Sequence, residues 1–143
     1  MPKPKQALSK TNKIMHYSVG AVIQKDHKYL LIDRAILPFG FASLAGHIDE
    51  GESPETALQR EVKEESGLTL TSCKLLLEEE IPWNTCSKGI EVHYWYVYEC
   101  KVSGRIQRNV GETKSIGWYL PEQIRKLKLE QVWKYWFEKI GVV

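Results

Sequence analysis

Several features that would mark a special class of protein are missing from this sequence. Its only cysteines, Cys73, Cys86 and Cys100, are odd in number and lack the close paired spacing of a zinc site, so we expect reduced thiols without a chemical role. Reduced thiols are typical of a cytoplasmic protein. No apolar run approaches the ~20 residues of a membrane-spanning helix, and there are no internal repeats, low-complexity stretches or linkers. We therefore expect neither a membrane protein nor a repeat protein nor a disulfide scaffold.

The chain also has little net charge. Its 20 basic and 18 acidic residues leave a formal charge of +2, and much of the surplus lies in residues 1–13, which carry four lysines and no acid. This composition predicts a flexible, solubilising N-terminal tail without the apolar core of a signal peptide. Such a tail could touch an anionic surface, but we do not expect a nucleic-acid partner. Residues 14–143 are long enough to form one domain of ordinary size.

Residues 46–68 carry strong helix signals. Ser53 can cap a helix N-terminus by accepting a backbone N–H, and Pro54 suits the first helical position because it has no N–H to leave unpaired. Gly67 can adopt the left-handed conformation that often ends a helix. We predict a helix of roughly a dozen residues between Pro54 and Gly67.

Three acids of this helix share one face. Glu61, Glu64 and Glu65 stand at i, i+3 and i+4, so their side chains lie within an arc of about 100°. Like charges at this spacing repel, and a bound divalent cation would explain the arrangement. Clustered carboxylates suit Mg²⁺, with Mn²⁺ as a substitute, rather than zinc. The alternative is an ordinary solvated face of a Glu-rich helix.

The same stretch resembles the Nudix box, G-x(5)-E-x(7)-R-E-U-x-E-E-x-G-U with U aliphatic. Every position of that pattern is matched, by Gly46, Glu52, Arg60, Glu61, Val62, Glu64, Glu65, Gly67 and Leu68. The resemblance implies a Nudix-type α/β/α sandwich with a curled mixed sheet. It also implies a MutT-like enzyme that hydrolyses the phosphoanhydride of a nucleoside diphosphate linked to another group. Nucleoside triphosphates, nucleotide sugars and ADP-ribose-like compounds are examples.

The resemblance further implies a set of site residues. The metal ligands would be Glu61, Glu64 and Glu65, with the backbone carbonyl of Ala45 and, from a later loop, Glu112, which could instead be an ordinary surface glutamate. Either Glu61 or Glu64 would orient or deprotonate the attacking water.

Four other box residues would support this site. Arg60, four residues before Glu64, could fix a carboxylate's rotamer. Glu52 would hold the loop before the helix, although direct metal contact is possible. Gly46 and Gly51 would let that loop bend tightly and bring its backbone near the phosphates.

Substrate selectivity would be decided outside the box. Arg34 could meet a terminal phosphate, and several aromatic residues could stack on a base or instead belong to the core. These aromatics are Phe39, Phe41, Trp83 and Tyr94.

The rest of the chain predicts strands and one prominent amphipathic helix. Residues 16–24, 28–33, 68–81 and 90–102 are rich in β-branched, aromatic or aliphatic residues and indicate strands. From Leu129 the apolar residues recur with a helical period and indicate a core-facing stripe. That stripe could instead contact a second subunit, and the sequence does not distinguish a monomer from a homodimer.

Two other functions stay open at this stage. The first is a non-catalytic module that senses a nucleotide or binds a protein through a Nudix-like fold. The second is a diphosphate-using isomerase on the same fold, whose additional signatures the sequence lacks. The intact acids at positions 61, 64 and 65 favour the hydrolase.

Overall fold

The computed structural model describes residues 3–143, and within them the chain forms eight strands and three helices. The strands are β1 (Gln6–Leu8), β2 (Ile14–Lys25), β3 (Lys28–Arg34), β4 (Gly40–Ala42), β5 (Leu44–His47), β6 (Thr69–Ile81), β7 (Val92–Ser103) and β8 (Thr113–Tyr119). The helices are α1 (Pro54–Ser66), α2 (Pro121–Ile124) and α3 (Gln131–Lys139). Within residues 3–143, none of these helices is long and apolar enough to cross a membrane.

The strands form one mixed sheet centred on β2. Its main order is β4-β3-β2-β7-β6, with β1 and β5 also paired to β2, and β8 to β3. The β2–β7 pair is parallel and the other pairs are antiparallel. Because β2 pairs with β3 only at residues 24–25 and 28–29, the sheet curls open between these strands. β5 uses the edge of β2 that this opening leaves, at residues 18–21.

A hydrophobic core lies on each face of the sheet. On one face, α1 buries Leu58 and Val62 against β2, β3 and β5. On the other face, α3 buries Trp133, Trp136 and Phe137, which confirms the predicted apolar stripe and places it in the protein's own core. The fold is therefore the expected α/β/α arrangement with a curled mixed sheet.

Helix α1 has the ends that its sequence predicts. Ser53 Oγ accepts the backbone N–H of Thr56 at 3.1 Å, and Pro54 occupies the first turn. Gly67 has φ 76°, and its N–H donates to the carbonyl of Lys63 at 2.9 Å. These local bonds fix where the helix begins and ends, and so they fix the direction of its acidic side chains.

The Ser53 cap can be tested by substitution. We expect Ser53→Ala to lower the free energy of unfolding by about 1 kcal/mol, because one backbone N–H of the first turn loses its acceptor. Ser53→Asp keeps an acceptor oxygen and should stay near the wild-type value. Urea unfolding followed by circular dichroism measures both. An equal loss in the two variants would contradict a capping role.

The N-terminal segment differs from its prediction. A flexible tail was expected over residues 1–13, of which residues 1 and 2 lie outside the described residues. From Lys3 onward the segment is hydrogen-bonded to the domain: Lys5 N–H donates to Ile48 O at 2.8 Å, and β1 pairs with the start of β2. The reason is an open edge, because β5 covers only residues 18–21 of β2 and β1 occupies the edge before them.

Candidate active site

A cleft of about 360 Å³ opens where the edge of β5 meets helix α1. Its lining comes from β2, β3, β5, β7, α1, α3, the N-terminal segment and four loops. One wall carries the acids of α1, and another carries the basic residues Arg34 and Lys88. The cleft therefore places negative and positive side chains around one concave space, as a site for a cation-bound polyanion requires.

Glu61 lies in this cleft in a space that only a glycine opposite it permits. A Cβ built on Gly46 would stand 2.0 Å from Cδ of Glu61, far inside van der Waals contact. Gly46 belongs to strand β5 and is not in a tight bend. The structure therefore does not place Gly46 in the loop that it was predicted to bend. The missing side chain instead lets the Glu61 carboxylate approach the strand.

Glu65 is buried beside the same strand. Its side chain is 3% exposed, and its Oε1 accepts the backbone N–H of Ala45 at 2.8 Å. Because the N–H and C=O of one residue point to the same side of an antiparallel strand, the Ala45 carbonyl faces this edge as well. Burial raises the pKa of Glu65 well above its ordinary value, and the nearby Glu61 carboxylate adds to the shift. Glu65 is thus a buried acid that joins α1 to β5, and not the exposed acid expected of a solvated helix face.

Arg60 joins four carboxylates into one network. Its Nε and Nη2 donate to the two carboxylate oxygens of Glu52 at 2.8 and 2.9 Å, and its Nη1 donates to Glu61 at 2.8 Å and Glu64 at 3.3 Å. The same Nη2 lies 3.3 Å from Asp49 Oδ2. The two-point contact is therefore to Glu52 and not to Glu64. The hydrogen bond from Arg60 lowers the pKa of Glu52.

The loop between β5 and α1 is held by Glu52 and turned by Gly51. Glu52 Oε1 also accepts the N–H of Asp49 at 2.8 Å, so this side chain closes the loop on itself and on Arg60. Gly51 has φ 82°, a conformation that favours glycine. Both carboxylate oxygens of Glu52 therefore already accept hydrogen bonds, from Asp49 in the loop and from Arg60 on α1.

Glu64 and Glu112 differ in their relation to the cleft. The side chain of Glu64 is 53% exposed, contacts Arg60 and is not part of the cleft lining. Glu112 lines the cleft, on a loop that is tied to the end of α1 by the bond from Gln107 N–H to Ser66 O at 2.6 Å. The loop before β8 thus brings Glu112 to the acids of α1.

The donor set at this end of the cleft fits a divalent cation. Glu61, Glu65 and Glu112 line it together, with Arg60 as the cation on the helix beside them. Burial raises the pKa of Glu61 to about 7, Arg60 opposes that shift, and Glu64 and Glu112 add to it. Carboxylate and carbonyl oxygens are the ligands that Mg²⁺ and Mn²⁺ prefer. A bound cation would compensate the negative charge that α1 concentrates here.

Most of the predicted base-stacking residues lie elsewhere. Trp83 packs edge-on against Tyr135, Tyr94 is on the α1 face and donates to Glu78 at 2.6 Å, and Phe41 packs against Tyr119. These three residues do not line the cleft, so stacking on a base there is not available to them.

Arg34 and Phe39 lie closer to the cleft. Arg34 lines it, and its Nε donates to Pro38 O at 2.7 Å, which holds the guanidinium against the loop that follows β3. Phe39 is 57% exposed at the end of that loop, with Lys114 Nζ 5.5 Å from its ring centroid. Arg34 is therefore part of the cleft lining, whereas Phe39 lies outside it.

Sequence reasoning missed the residues that line the other end of the cleft. His47, His93 and Cys86 are found there, with Lys88 beside them. Burial lowers the pKa of His47 to about 3 and that of His93 to about 4, and the neighbouring imidazoles contribute to both shifts. A usable signal was present, because histidine interrupts three otherwise apolar strands. The cysteines give no comparable signal, because their spacing to one another does not indicate a site.

A comparison with models of known protein families shows to which family this chain belongs. Residues 15–139 match the family model described as the NUDIX domain. The chain belongs to the Nudix family. This match runs from β2 to α3, so it includes every strand except β1, the box helix and the loop that carries Glu112. The prediction from the box is confirmed, and the chain is a Nudix hydrolase.

Relatives and solved structures agree with this family. The chain is 28% identical over 132 residues to the nucleoside triphosphatase NudI of Enterobacter sp. (strain 638), covering 85% of this chain and 94% of the relative. It is 32% identical over 112 residues to a MutT-like protein of Streptomyces ambofaciens, covering 78% and 67%. The MutT NUDIX hydrolase of Burkholderia pseudomallei has the same fold, with a TM-score of 0.76 at 24% identity, covering 87% of this chain and 96% of that one.

Proposed function

We propose that this Nudix protein hydrolyses the phosphoanhydride of a nucleoside diphosphate linked to another group, with Mg²⁺ as its cofactor and nucleoside triphosphates as its first substrate class. The observation that carries the proposal is the cleft in which Glu61, Glu65 and Glu112 face basic side chains across a space for a polyphosphate. The similarity to a relative named nucleoside triphosphatase supports the substrate class.

The basic wall would bind and orient the phosphates. Arg34 is held by Pro38 O and offers a planar guanidinium to a phosphate oxygen, while Lys88 adds a point charge from the loop between β6 and β7. When bound, a divalent cation would neutralise charge on the phosphates and lower the pKa of the attacking water. Glu61, Glu65, Glu112 and the Ala45 carbonyl would hold it, with the more exposed Glu64 as a further candidate ligand.

Glu61 is the better placed of the two candidate bases. It lines the cleft, whereas the Glu64 side chain is 53% exposed and does not line it. Arg60 Nη1 donates to Glu61 at 2.8 Å and fixes its rotamer without occupying both carboxylate oxygens. A water between Glu61 and a phosphate could therefore give its proton to Glu61 as its oxygen bonds to phosphorus and the P–O bond to the leaving group breaks.

A substrate panel tests this function. The purified protein is incubated with Mg²⁺ and, in separate reactions, nucleoside triphosphates, nucleotide sugars, ADP-ribose and dinucleoside polyphosphates, with products identified by mass spectrometry. We expect nucleoside monophosphate and pyrophosphate from a triphosphate, and no product after addition of a chelator. Nucleotide binding without turnover on any compound would instead support a sensing module and contradict the proposal.

The basic wall has its own matched test. Arg34→Gln should raise KM for the substrate that the panel identifies by about tenfold, because a charge-assisted hydrogen bond contributes about 1.5 kcal/mol. Arg105→Gln, on an exposed loop away from the cleft, is the control with the same loss of charge. Equal KM values for the two variants would exclude Arg34 from phosphate binding.

A further inference from the structure

Three histidines and a cysteine meet in a second cluster that the hydrolytic reaction does not require. One potential ligand atom from each of His16, His47, Cys86 and His93 can be chosen so that all four lie within 4.8 Å of one another. We propose that these residues form a Zn²⁺ site that fastens the loop between β6 and β7 to the central strands.

The sheet register brings the three imidazoles together. His16 on β2 pairs with His93 on the parallel strand β7, and His47 on β5 pairs with Ser18, two residues along β2 from His16. Paired residues share a face, as do residues two apart on one strand. The three rings therefore project from adjacent strands toward the α3 side of the sheet. Their ring centroids are 5.1, 5.4 and 6.0 Å apart.

Cys86 completes the set from the loop that covers this end of the strands. The loop is held across its base by bonds from Asn84 N–H to Glu91 O and from Cys86 N–H to Ile90 O, each 3.0 Å. These bonds keep the Cys86 backbone beside the histidines while its side chain can turn about χ1. The set thus combines three rings on rigid strands with one thiol on a braced loop.

Two of the rings carry a nitrogen for which the described residues supply no partner. His16 is 4% exposed and His93 is 1% exposed, and Nδ1 of each is buried without a hydrogen bond. An unsatisfied buried polar atom destabilises the fold. Gln6 Oε1 lies 3.3 Å from His16 Nε2, and acceptance of that N–H leaves Nδ1 with a lone pair. Metal coordination through His16 Nδ1 would use this lone pair, whereas His93 would bind through Nε2, the nitrogen that faces His47.

The distances suit tetrahedral zinc. Zn–N bonds of about 2.0–2.1 Å and a Zn–S bond of about 2.3 Å give donor separations of about 3.3–3.6 Å. Nε2 of His47 and Nε2 of His93 are already 3.4 Å apart. All four donor atoms lie within 4.8 Å of one another, so no pair needs to close by more than about 1.5 Å, a change that side-chain rotations can supply. Four nitrogen and sulfur donors distinguish this site from the oxygen-lined site of α1, and a complete set of protein ligands indicates a structural ion.

The site would influence the cleft through its neighbours. His47, Cys86 and His93 line the cleft, and Lys88 follows two residues after the cysteine. Zinc would therefore hold the basic loop next to the position proposed for the phosphates, without taking part in hydrolysis. Zinc binding and Mg²⁺-dependent turnover can be measured separately. The zinc proposal and the proposed hydrolase function can therefore be contradicted independently of each other.

Cobalt substitution tests the proposal on the full chain. The protein is stripped with a chelator and titrated with Co²⁺ in excess Mg²⁺, which occupies the carboxylate site. We expect a thiolate-to-cobalt charge-transfer band that saturates at about one equivalent per chain and is displaced by Zn²⁺. No such band in the wild-type protein would overturn the proposal.

A pair of cysteine variants assigns the thiol. Cys86→Ser should lose the band and bind Zn²⁺ at least about 100-fold more weakly, because loss of a ligand exceeds the cost of losing an outer partner. Cys73→Ser, also partly buried but on β6, is the matched control and should keep both properties. Wild-type affinity in Cys86→Ser would contradict the site. X-ray absorption of the wild-type zinc protein gives an independent result. We expect three nitrogen ligands and one sulfur ligand around zinc, and a shell of oxygen ligands alone would contradict the proposal.

Discussion

Glu61→Gln is expected to lower kcat by about 10³-fold, equivalent to about 4 kcal/mol of transition-state stabilisation. Glutamine keeps the shape of the side chain in the space opposite Gly46 but removes the negative charge that would bind the cation and accept the proton. The measurement is kcat at saturating Mg²⁺ on the substrate that the panel identifies. Glu138→Gln, at an exposed position of α3, is the control. Full activity in Glu61→Gln would exclude Glu61 from both roles.

The same variant should not lose stability. Burial raises the folded-state pKa of Glu61 from 4.5 to about 7, so the folded chain favours the protonated form. The stability this group contributes is present below about pH 4.5 and is lost as the pH rises through about 7. Glutamine has no such loss. Without divalent cations, the Tm of Glu61→Gln should therefore equal or exceed that of the wild type at pH 8. A clear drop in Tm would attribute the activity loss to misfolding.

Gly46→Ala is expected to lower kcat by about 10²-fold, because a misplacement of about 1 Å at a catalytic group has a cost of this size. The new Cβ would stand 2.0 Å from Cδ of Glu61, so the carboxylate must move. Gly117→Ala, whose Cβ would make an ordinary contact of 3.6 Å with Tyr119, is the control for adding a methyl group to a strand.

A double variant shows whether Gly46 acts through Glu61. If it does, Gly46→Ala should cost little more in a Glu61→Gln background, because the displaced charge is already gone. Independent losses that multiply in the double variant would contradict this coupling and indicate a separate role for the strand.

The features that the sequence predicted well are those decided by near neighbours along the chain. The bounds of α1 follow from Ser53, Pro54 and Gly67, which act through hydrogen bonds within the helix or one residue beyond it. The α3 stripe follows in the same way from its helical period. Family membership follows from residues 46–68 because the box is itself a local pattern.

The features that the sequence did not predict depend on distant partners. Strand alternation separates Tyr94 from His93 and Trp95, but nothing in it says which face of β7 meets the cleft. Trp83 packs against Tyr135, a residue far along the chain, and so is not available to a substrate. The two-point contact of Arg60 with Glu52 spans a loop whose path the helix geometry does not fix.

The histidine cluster is a second case of this kind. His16, His47 and His93 come together only because β5 and β7 pair with β2 in a particular register. A shift of one residue would send each ring to the opposite face. Cysteine spacing alone therefore does not indicate a site, whereas the strand register places the three histidines together.

Binding of Mn²⁺, followed by electron paramagnetic resonance, tests the central claim that the acids of α1 hold a catalytic cation. The wild-type protein is compared with Glu61→Gln. In both proteins the cluster of His16, His47, Cys86 and His93 is first saturated with Zn²⁺. We predict stoichiometric loss of the free Mn²⁺ signal with the wild type, and binding at least about tenfold weaker in the variant. Equal binding by the two proteins, or no binding by either, would contradict the account.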